Sequence, residues 1–225
     1  ELSSRIADQA PFEEGVTVAV RPRFPEVDVV VRASGVGLDD AEARARAAAA
    51  TVMEGLDEGI VHGLGGESLA EAVASALGAV GASLSTAEAI GGGLVARRIH
   101  GSPGASGALR LGVSGGAEEL AALLGVSRDL VDAHEATSRE VTESLARAVR
   151  LRSGADLGLA STGIAGPATG GPAAPLGLVH FALASEGGLQ SVERRLGPRA
   201  RWRLDELAAA EALALVLAWC RGVSR

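Results

Sequence analysis

The order of strand-like and helix-like patterns constrains the fold of this chain more than any other feature of its sequence. From residue 67 onward, short apolar runs typical of buried strands alternate with longer Ala- and Leu-rich stretches of helical periodicity. This alternation predicts a three-layer α/β/α domain with a mixed, mostly parallel sheet. Ligands in such folds bind beyond the carboxyl ends of the strands, so we expect functional residues in the loops at that edge.

The first 66 residues show a different order of elements. Two strand-like runs between residues 16 and 33 precede one Ala-, Arg- and Glu-rich helical stretch at 39–54, which predicts a small α+β layer. We place a domain boundary at the glycine-rich segment 63–66. The predicted organisation is therefore an α+β domain over residues 1–66 and an α/β domain over residues 67–225.

Residue types that are missing from the sequence exclude several kinds of chemistry. All 21 basic residues are arginine, and the chain has neither lysine nor tyrosine, so a phosphate-binding or Schiff-base lysine and a tyrosine acid/base are excluded. One cysteine, Cys220, and four scattered histidines predict neither a disulfide nor a metal site. No cofactor is expected.

Charge and hydropathy limit the partners and the compartment that we expect. The formal net charge of −7 argues against nucleic-acid binding, which depends on basic surface. No uninterrupted apolar stretch is long enough to span a membrane, and no secretory signal peptide is recognisable. With a single cysteine, this predicts a cytoplasmic protein without membrane association.

Two glycine-rich segments follow predicted strands and are the main candidates for a ligand site. In segment 86–93, a strand end meets a glycine-led helix start, where free N–H groups and the helix dipole would attract an anion. Segment 162–167 leaves another strand end, and its small residues would let backbone N–H groups approach a ligand. Arg199, just before the last predicted helix, is suited to contact a phosphate.

A third segment, Gly112-Val113-Ser114-Gly115-Gly116, matches the nucleophile elbow of α/β hydrolases and lies between a predicted strand and a predicted helix. Asp156 and His180 follow in the chain order that this motif requires. The pattern is short in a chain with 31 glycines, and His180 falls inside an apolar strand. We therefore favour a core histidine over a catalytic one.

The two glycine-rich segments together resemble the C-terminal domain of the CinA (competence/damage-inducible protein) family. That family carries Thr-Ala-Glu-Ser-Cys-Thr-Gly-Gly, and this chain has Thr-Ala-Glu-Ala-Ile-Gly-Gly-Gly at 86–93. The family's stretch His-Gly-Ala-Val-Ser-Glu-Glu-Val corresponds to residues 134–141, and segments 154–156 and 162–167 match in the same order. The resemblance covers essentially the whole chain, because residues 1–66 resemble the KH-like segment that precedes this domain in longer CinA proteins.

The resemblance implies a nicotinamide mononucleotide amidohydrolase, which releases ammonia and nicotinate mononucleotide. It places the family's serine nucleophile at Ala89 and the following cysteine at Ile90, and it places a supporting tyrosine and lysine at Gly115 and Leu120. Alanine has no nucleophilic atom. We therefore predict a family member whose hydrolase activity is lost or weak.

Two alternatives remain open at this point. A relocated nucleophile, Ser85, Thr86 or Ser114, would retain amidase activity if His134 served as its base. Alternatively, residues 1–66 and the Ala-rich helices would make the chain a non-catalytic module for oligomerisation or partner binding, and a homo-oligomer is expected. The expected ligand is a pyridine mononucleotide. Its predicted contacts are Thr86, Glu88, Gly92, Gly93, Ser138, Thr162, Gly163, Gly166 and Arg199.

Overall fold

The described residues of the computed structural model are 2–7, 12–56, 59–164 and 175–223. Internal contacts divide the chain into two compact units, residues 1–68 and 69–225, and each is described by itself. Within the described ranges, no helix combines the length and the apolar character needed to cross a membrane.

The first unit contains a two-stranded antiparallel sheet and a long helix. Its elements are α1 (Leu2–Ala7), β1 (Val16–Arg23), β2 (Glu26–Ala33) and α2 (Leu38–Glu54). The strand–strand–helix order agrees with the sequence pattern, whereas α1 was not predicted. Asp40 in the first turn of α2 accepts a hydrogen bond from the backbone N–H of Val36 at 2.9 Å, which stabilises the helix start. The likeness of this unit to KH modules stays a prediction.

The second unit alternates strands and helices along the chain, as expected. Its elements are α3 (Leu69–Val80), β3 (Leu84–Glu88), α4 (Leu94–His100), β4 (Leu109–Ser114), α5 (Ala117–Leu124), α6 (Arg128–His134), α7 (Arg139–Ser153), β5 (Leu157–Gly163), β6 (Leu178–Ser185), β7 (Gly188–Arg195) and α8 (Arg201–Val223). Helix α6 was not predicted, because a seven-residue helix is too short to show a helical period.

The described strands of this unit form a five-stranded mixed sheet in the order β4-β3-β5-β6-β7. β3 pairs in parallel with both β4 and β5, and the pairs β5–β6 and β6–β7 are antiparallel. β7 therefore runs in the same direction as β5, and only β6 is reversed among the described strands. This confirms the predicted mixed, mostly parallel sheet.

Helices cover both faces of the sheet, so the unit has the three layers that were predicted. Helices α3, α4 and α8 pack on one face against large side chains such as Leu159 and Phe181. Helices α5, α6 and α7 pack on the other face against small ones such as Ala160 and Ala182. Successive residues of a strand point to opposite faces, so this alternation separates two cores. A Cβ atom at Gly158 would lie 2.1 Å from the carbonyl oxygen of Ala146, which shows how closely α7 approaches the sheet.

Candidate functional site

The candidate site lies where the carboxyl ends of β3, β4 and β5 meet. Glu88, the last residue of β3, is in register with Ser114 on β4 and with Ser161 on β5. The chain then leaves β3 through Ala89 and a glycine turn. The structure therefore brings the first glycine-rich segment and the described start of the second, residues 162–164, to the same edge of the sheet.

The glycine turn, residues 91–93, has a backbone conformation that favours glycine. Its three φ angles are +98°, +58° and +85°, a left-handed region that side chains with a Cβ rarely adopt. The turn leads directly into α4. The N–H groups of Val95 and Ala96 there donate to Glu88, at 3.0 Å to Oε2 and 3.0 Å to Oε1 respectively. The amides that we expected to be free for an anion are therefore already satisfied by the chain's own carboxylate.

Glu88 and Thr86 are both buried, so neither side chain is presented to solvent. Glu88 is 1% exposed, and its Oε1 also accepts a hydrogen bond from Thr86 Oγ1 at 3.0 Å. Burial raises the pKa of the Glu88 carboxyl above its ordinary value, while the N–H donors of Ala96 and Val95 and the Thr86 hydroxyl lower it in part. Both residues hold the turn in place, and a direct contact with a ligand stays a prediction.

The three positions that the resemblance marks as catalytic lie close together. The N–H of Gly115 donates to the carbonyl of Glu88 at 3.3 Å, next to Ala89. A Cβ atom at Gly115 would lie 3.8 Å from Cδ2 of Leu120. Leu120 is buried, and Ala89 packs against the same apolar cluster. Where the family pattern implies a nucleophile and two polar partners, this chain has two apolar side chains and a glycine.

The hydroxyl groups that could replace the nucleophile are poorly placed for that role. Ser85 is fully buried, and its Oγ has no hydrogen-bond partner among the described residues. The Thr86 hydroxyl donates to Glu88. Ser114 is exposed at the end of β4, but within the described ranges no hydrogen bond joins it to a histidine. His134 is the base suggested for it, and the distance from His134 Nδ1 to Glu140 Oε2 is 3.9 Å.

The residues of the hydrolase-like segment do not assemble into a triad. Asp156 precedes β5, at the opposite edge of the sheet from Ser114, and its Oδ2 accepts hydrogen bonds from Ser83 Oγ at 2.6 Å and Ser83 N at 2.8 Å. These two bonds lower the pKa of the Asp156 carboxyl, the hydroxyl contributing most. His180 Nδ1 lies 2.8 Å from the carbonyl of Thr137. The geometry therefore excludes this triad, and His180 is a structural residue.

A hydroxyl network ties the end of β5 to the start of α7. Thr162 Oγ1 lies 2.6 Å from Thr142 Oγ1 and 3.0 Å from the Thr137 carbonyl. Thr142 Oγ1 in turn donates to the Ser138 carbonyl at 2.6 Å, and Ser138 Oγ accepts the N–H of Val141 at 3.3 Å. Thr162 is fully buried and Ser138 is half-buried. Of these two predicted ligand contacts, only Ser138 reaches the surface.

Glu135, in the loop before α7, has a strained backbone that the sequence analysis missed. Its φ is +65° and its ψ is +146°, and it is the one residue other than glycine with positive φ in the described ranges. The signal was present in the sequence, because the resemblance places a glycine of the family's stretch at this position. The chain therefore keeps a glycine-type backbone there with a glutamate side chain.

The other predicted contacts are distributed around the same edge. Gly92 is exposed and Gly93 is half-buried. Gly163 is needed for close packing, because a Cβ atom there would lie 2.8 Å from the carbonyl oxygen of Leu178. Arg199 is exposed just after β7 and donates from Nε to the carbonyl of Leu196 at 2.7 Å. The last of them, Gly166, lies outside the described residues.

One contact at this edge had no sequence signal. The N–H of Gly91 donates to Asp205 Oδ1 of α8 at 3.2 Å, and Arg201 Nε lies 3.3 Å from both oxygens of the same carboxylate. The start of α8 is thus attached to the glycine turn. Long-range contacts of this kind depend on chain topology, which a local motif does not contain.

Fold and site together define a three-layer α/β domain with a glycine-turn site at the carboxyl edge of its sheet. The family model of the CinA C-terminal domain matches residues 66–220. A CinA-like protein from Anaeromyxobacter sp. (strain Fw109-5) is 42% identical over 207 residues, which are 92% of this chain and 49% of that protein. This chain belongs to the CinA family.

Further relatives and solved structures agree with this assignment. A CinA-like protein from Geobacter metallireducens is 38% identical over 84% of this chain and 46% of its own length. The crystal structure of competence/damage inducible protein CihA from Agrobacterium tumefaciens has a TM-score of 0.63 and 30% identity, over 67% of this chain and 92% of that one. A CinA superfamily protein from Klebsiella pneumoniae has a TM-score of 0.64 and 26% identity, over 68% of this chain and 96% of that one. The chain spans about half the length of the full-length relatives it matches.

Proposed function

We propose that this chain is a CinA-family domain that binds a pyridine mononucleotide at the carboxyl edge of its sheet and hydrolyses it weakly or not at all. The ligand class and the hydrolysis of a carboxamide come from the family resemblance. The loss of chemistry comes from this chain's own residues.

One observation carries the proposal: Ala89, Gly115 and Leu120 are neighbours in space and none has a reactive group. Amide hydrolysis needs a nucleophile and a group that moves its proton. Adding a serine at position 89 alone would still leave it beside a buried leucine and a glycine. Loss of a nucleophile lowers the rate by several powers of ten in enzymes in which such a residue acts as part of a unit.

Surface groups that remain at this edge support binding. Gly92, Ser138 and Arg199 are at least partly exposed, and arginine is well suited to a phosphate. Glu88 already occupies the amides at the start of α4, so the phosphate would have to be bound by groups other than these. Arg199, and Arg201 beside the glycine turn, are the cations available for it at the start of α8.

Calorimetric titration with nicotinamide mononucleotide tests binding, and ammonia release from the same sample tests hydrolysis. We expect saturable binding that Arg199→Gln weakens about tenfold, the size expected for one charged hydrogen bond. Arg147→Gln, an exposed arginine on α7, is the matched control and should leave the affinity unchanged. A CinA relative with the Ser-Cys pair serves as the positive control for ammonia.

The outcomes separate the alternatives. Binding without ammonia release supports the proposal. Ammonia release above the level of a boiled sample, removed by Ser114→Ala, would mean that a relocated nucleophile acts and that the proposed loss of activity is incorrect. Absence of binding at millimolar ligand would leave the partner-binding alternative as the better function.

A further inference from the structure

A cavity of about 560 Å³ lies at the edge of the sheet opposite to the candidate site. It is formed where β3 and β5 begin and where the hairpin between β6 and β7 turns. Its lining residues are Val80, Gly81, Ala82, Arg150, Asp156, Leu183, Ser185, Glu186, Gly187, Gly188, Leu189, Gln190, Trp219 and Val223. Its size is in the range of cavities that bind small molecules.

A fixed carboxylate lies in the wall of this cavity. Asp156 Oδ2 accepts two hydrogen bonds from Ser83, which hold the side chain in one orientation and favour its ionised form. Oδ1 of the same carboxylate accepts no hydrogen bond from the side chain of another described residue, although the charge of Arg110, whose Nε donates to Ser83 Oγ at 3.0 Å, also lowers the pKa of this carboxyl. Oδ1 is therefore available to accept a hydrogen bond from a ligand ammonium group.

A guanidinium is attached to the backbone of the same residue. Arg150 Nε donates to the backbone carbonyl of Asp156 at 2.9 Å, so the guanidinium is anchored next to that residue. Its two terminal nitrogens make no hydrogen bond to any described residue. This fork geometry suits a ligand carboxylate.

One part of the remaining wall of the cavity is apolar, and Ser185, Glu186 and Gln190 make the rest of it polar. Trp219 of α8 and Leu183 of β6 line it together with Val80 from the end of α3. Trp219 packs against the core on the α8 face of the sheet. An apolar wall of this kind takes a hydrocarbon or aromatic side chain.

We infer that this cavity binds a small apolar α-amino acid. The ammonium group would lie on Asp156, the carboxylate on Arg150, and the apolar side chain against Trp219 and Leu183. An α-amino acid carries its ammonium and its carboxylate on one carbon atom, which matches the charged side chain of Asp156 and an arginine that is attached to the Asp156 backbone. This site is separate from the pyridine-nucleotide site, so either proposal can fail without the other.

The fluorescence of Trp219 gives a direct readout. The chain has two tryptophans and no tyrosine, so the variant Trp202→Phe leaves Trp219 as the only strong fluorophore. Trp202 lies 17 residues earlier on the same helix, about 25 Å away at the rise of an α-helix. L-leucine and L-phenylalanine are the ligands to titrate, and the thermal shift of the unsubstituted chain is the second measurement.

We expect a saturable change in Trp219 emission with half-saturation below about 1 mM, together with a rise in Tm, because a ligand that binds the native state stabilises it. In the Trp202→Phe background, Asp156→Asn keeps an oxygen for Ser83 and removes the charge, and Arg150→Gln removes the guanidinium. Each should weaken binding about tenfold or more. Asp129→Asn and Arg147→Gln change exposed charges on α6 and α7 and should have no effect.

Two ligand analogues test whether both charges are recognised. Leucinamide lacks the carboxylate and N-acetyl-leucine lacks the ammonium, and both should bind at least tenfold more weakly than leucine. If either analogue binds as tightly as leucine, the assignment of that charge is incorrect. If leucine and phenylalanine change neither the emission of Trp219 nor Tm at 10 mM, which is about ten times the expected half-saturation, the cavity is not an amino-acid site.

Discussion

The two edges of the central sheet differ in how their polar groups are paired. At the carboxyl edge, polar groups such as Glu88 and Thr162 are buried and bonded to the chain itself. At the amino edge, Asp156 and Arg150 are anchored on one side only. The carboxyl edge therefore pairs its buried polar groups within the chain, whereas the amino edge presents fixed charges to a cavity.

At the carboxyl edge, one residue of the family motif has a clear structural role. Glu88 matches the family's motif at a position that could be taken for a ligand contact. Here it closes a glycine turn by satisfying two backbone amides. A motif residue therefore has to be examined for its internal partners before a binding role is assigned to it.

The largest expected effect comes from removing the carboxylate of Glu88. Glu88→Ala leaves the N–H groups of Val95 and Ala96 without their acceptor in a buried place, and each such loss costs about 1–3 kcal/mol. We expect the free energy of unfolding in urea to fall by about 3 kcal/mol. Glu119→Ala, an exposed glutamate of α5, should change it by less than about 0.5 kcal/mol. An equal effect of the two variants would mean that Glu88 does not hold the turn.

The pH dependence of stability tests the state of the buried Glu88 carboxyl. Burial raises the folded-state pKa of Glu88 above its ordinary value of 4.5, so ionisation is harder in the folded state than in the unfolded state. Its contribution to stability is therefore fully present below pH 4.5 and is lost as the pH rises through the folded pKa. Relative to Glu88→Gln, the unsubstituted chain should lose stability over that interval. A constant difference between the two chains would contradict the raised pKa.

A smaller effect, of opposite sign, is expected at Glu135. Its positive φ is one that only glycine adopts without strain, and such strain costs about 1–3 kcal/mol. Glu135→Gly should raise the free energy of unfolding by about 1 kcal/mol. The control Ala133→Gly in α6 should lower it by a similar amount, since glycine disfavours a helix. A loss of stability in both variants would show that Glu135 is not strained.

The smallest expected effect on stability comes from removing the Ser85 hydroxyl, and it tests whether that hydroxyl has a structural role. Ser85→Ala removes a buried hydroxyl without a partner among the described residues, so stability should stay equal or rise by up to about 1 kcal/mol. Ser161→Ala is the matched control, because Ser161 Oγ donates to the Ile90 carbonyl at 2.9 Å. That variant should lose about 1 kcal/mol. A large loss for Ser85→Ala would reveal a partner for its hydroxyl.

Much of the fold was predictable because its signals are local. The alternation of apolar runs predicts the strands, and a two-residue turn, Glu186-Gly187, joins β6 to β7. The antiparallel pairing of β6 with β7 follows from that turn, since a two-residue turn joins antiparallel strands. Helix α6 was missed because its pattern is shorter than two helical turns.

The candidate site was less predictable because its contacts join distant parts of the chain. The sequence places Glu88 at a strand end, but it does not show that α4 supplies the donors for its carboxylate. It also does not show that the Asp205 carboxylate of α8 accepts a hydrogen bond from the N–H of Gly91. Asp156 and Ser114 are compatible with a triad in chain order, and only the sheet topology shows that they lie at opposite edges.

The most direct test of the central claim is the rate of ammonia release from nicotinamide mononucleotide, measured for the unsubstituted chain and for Ser85→Ala, Thr86→Ala and Ser114→Ala. We predict the same rate, at the level of a boiled sample, for all four proteins. A higher rate for the unsubstituted chain that one of these substitutions abolishes, while the variant still unfolds cooperatively in urea, would contradict the claim that the carboxyl edge has kept its scaffold and lost its chemistry.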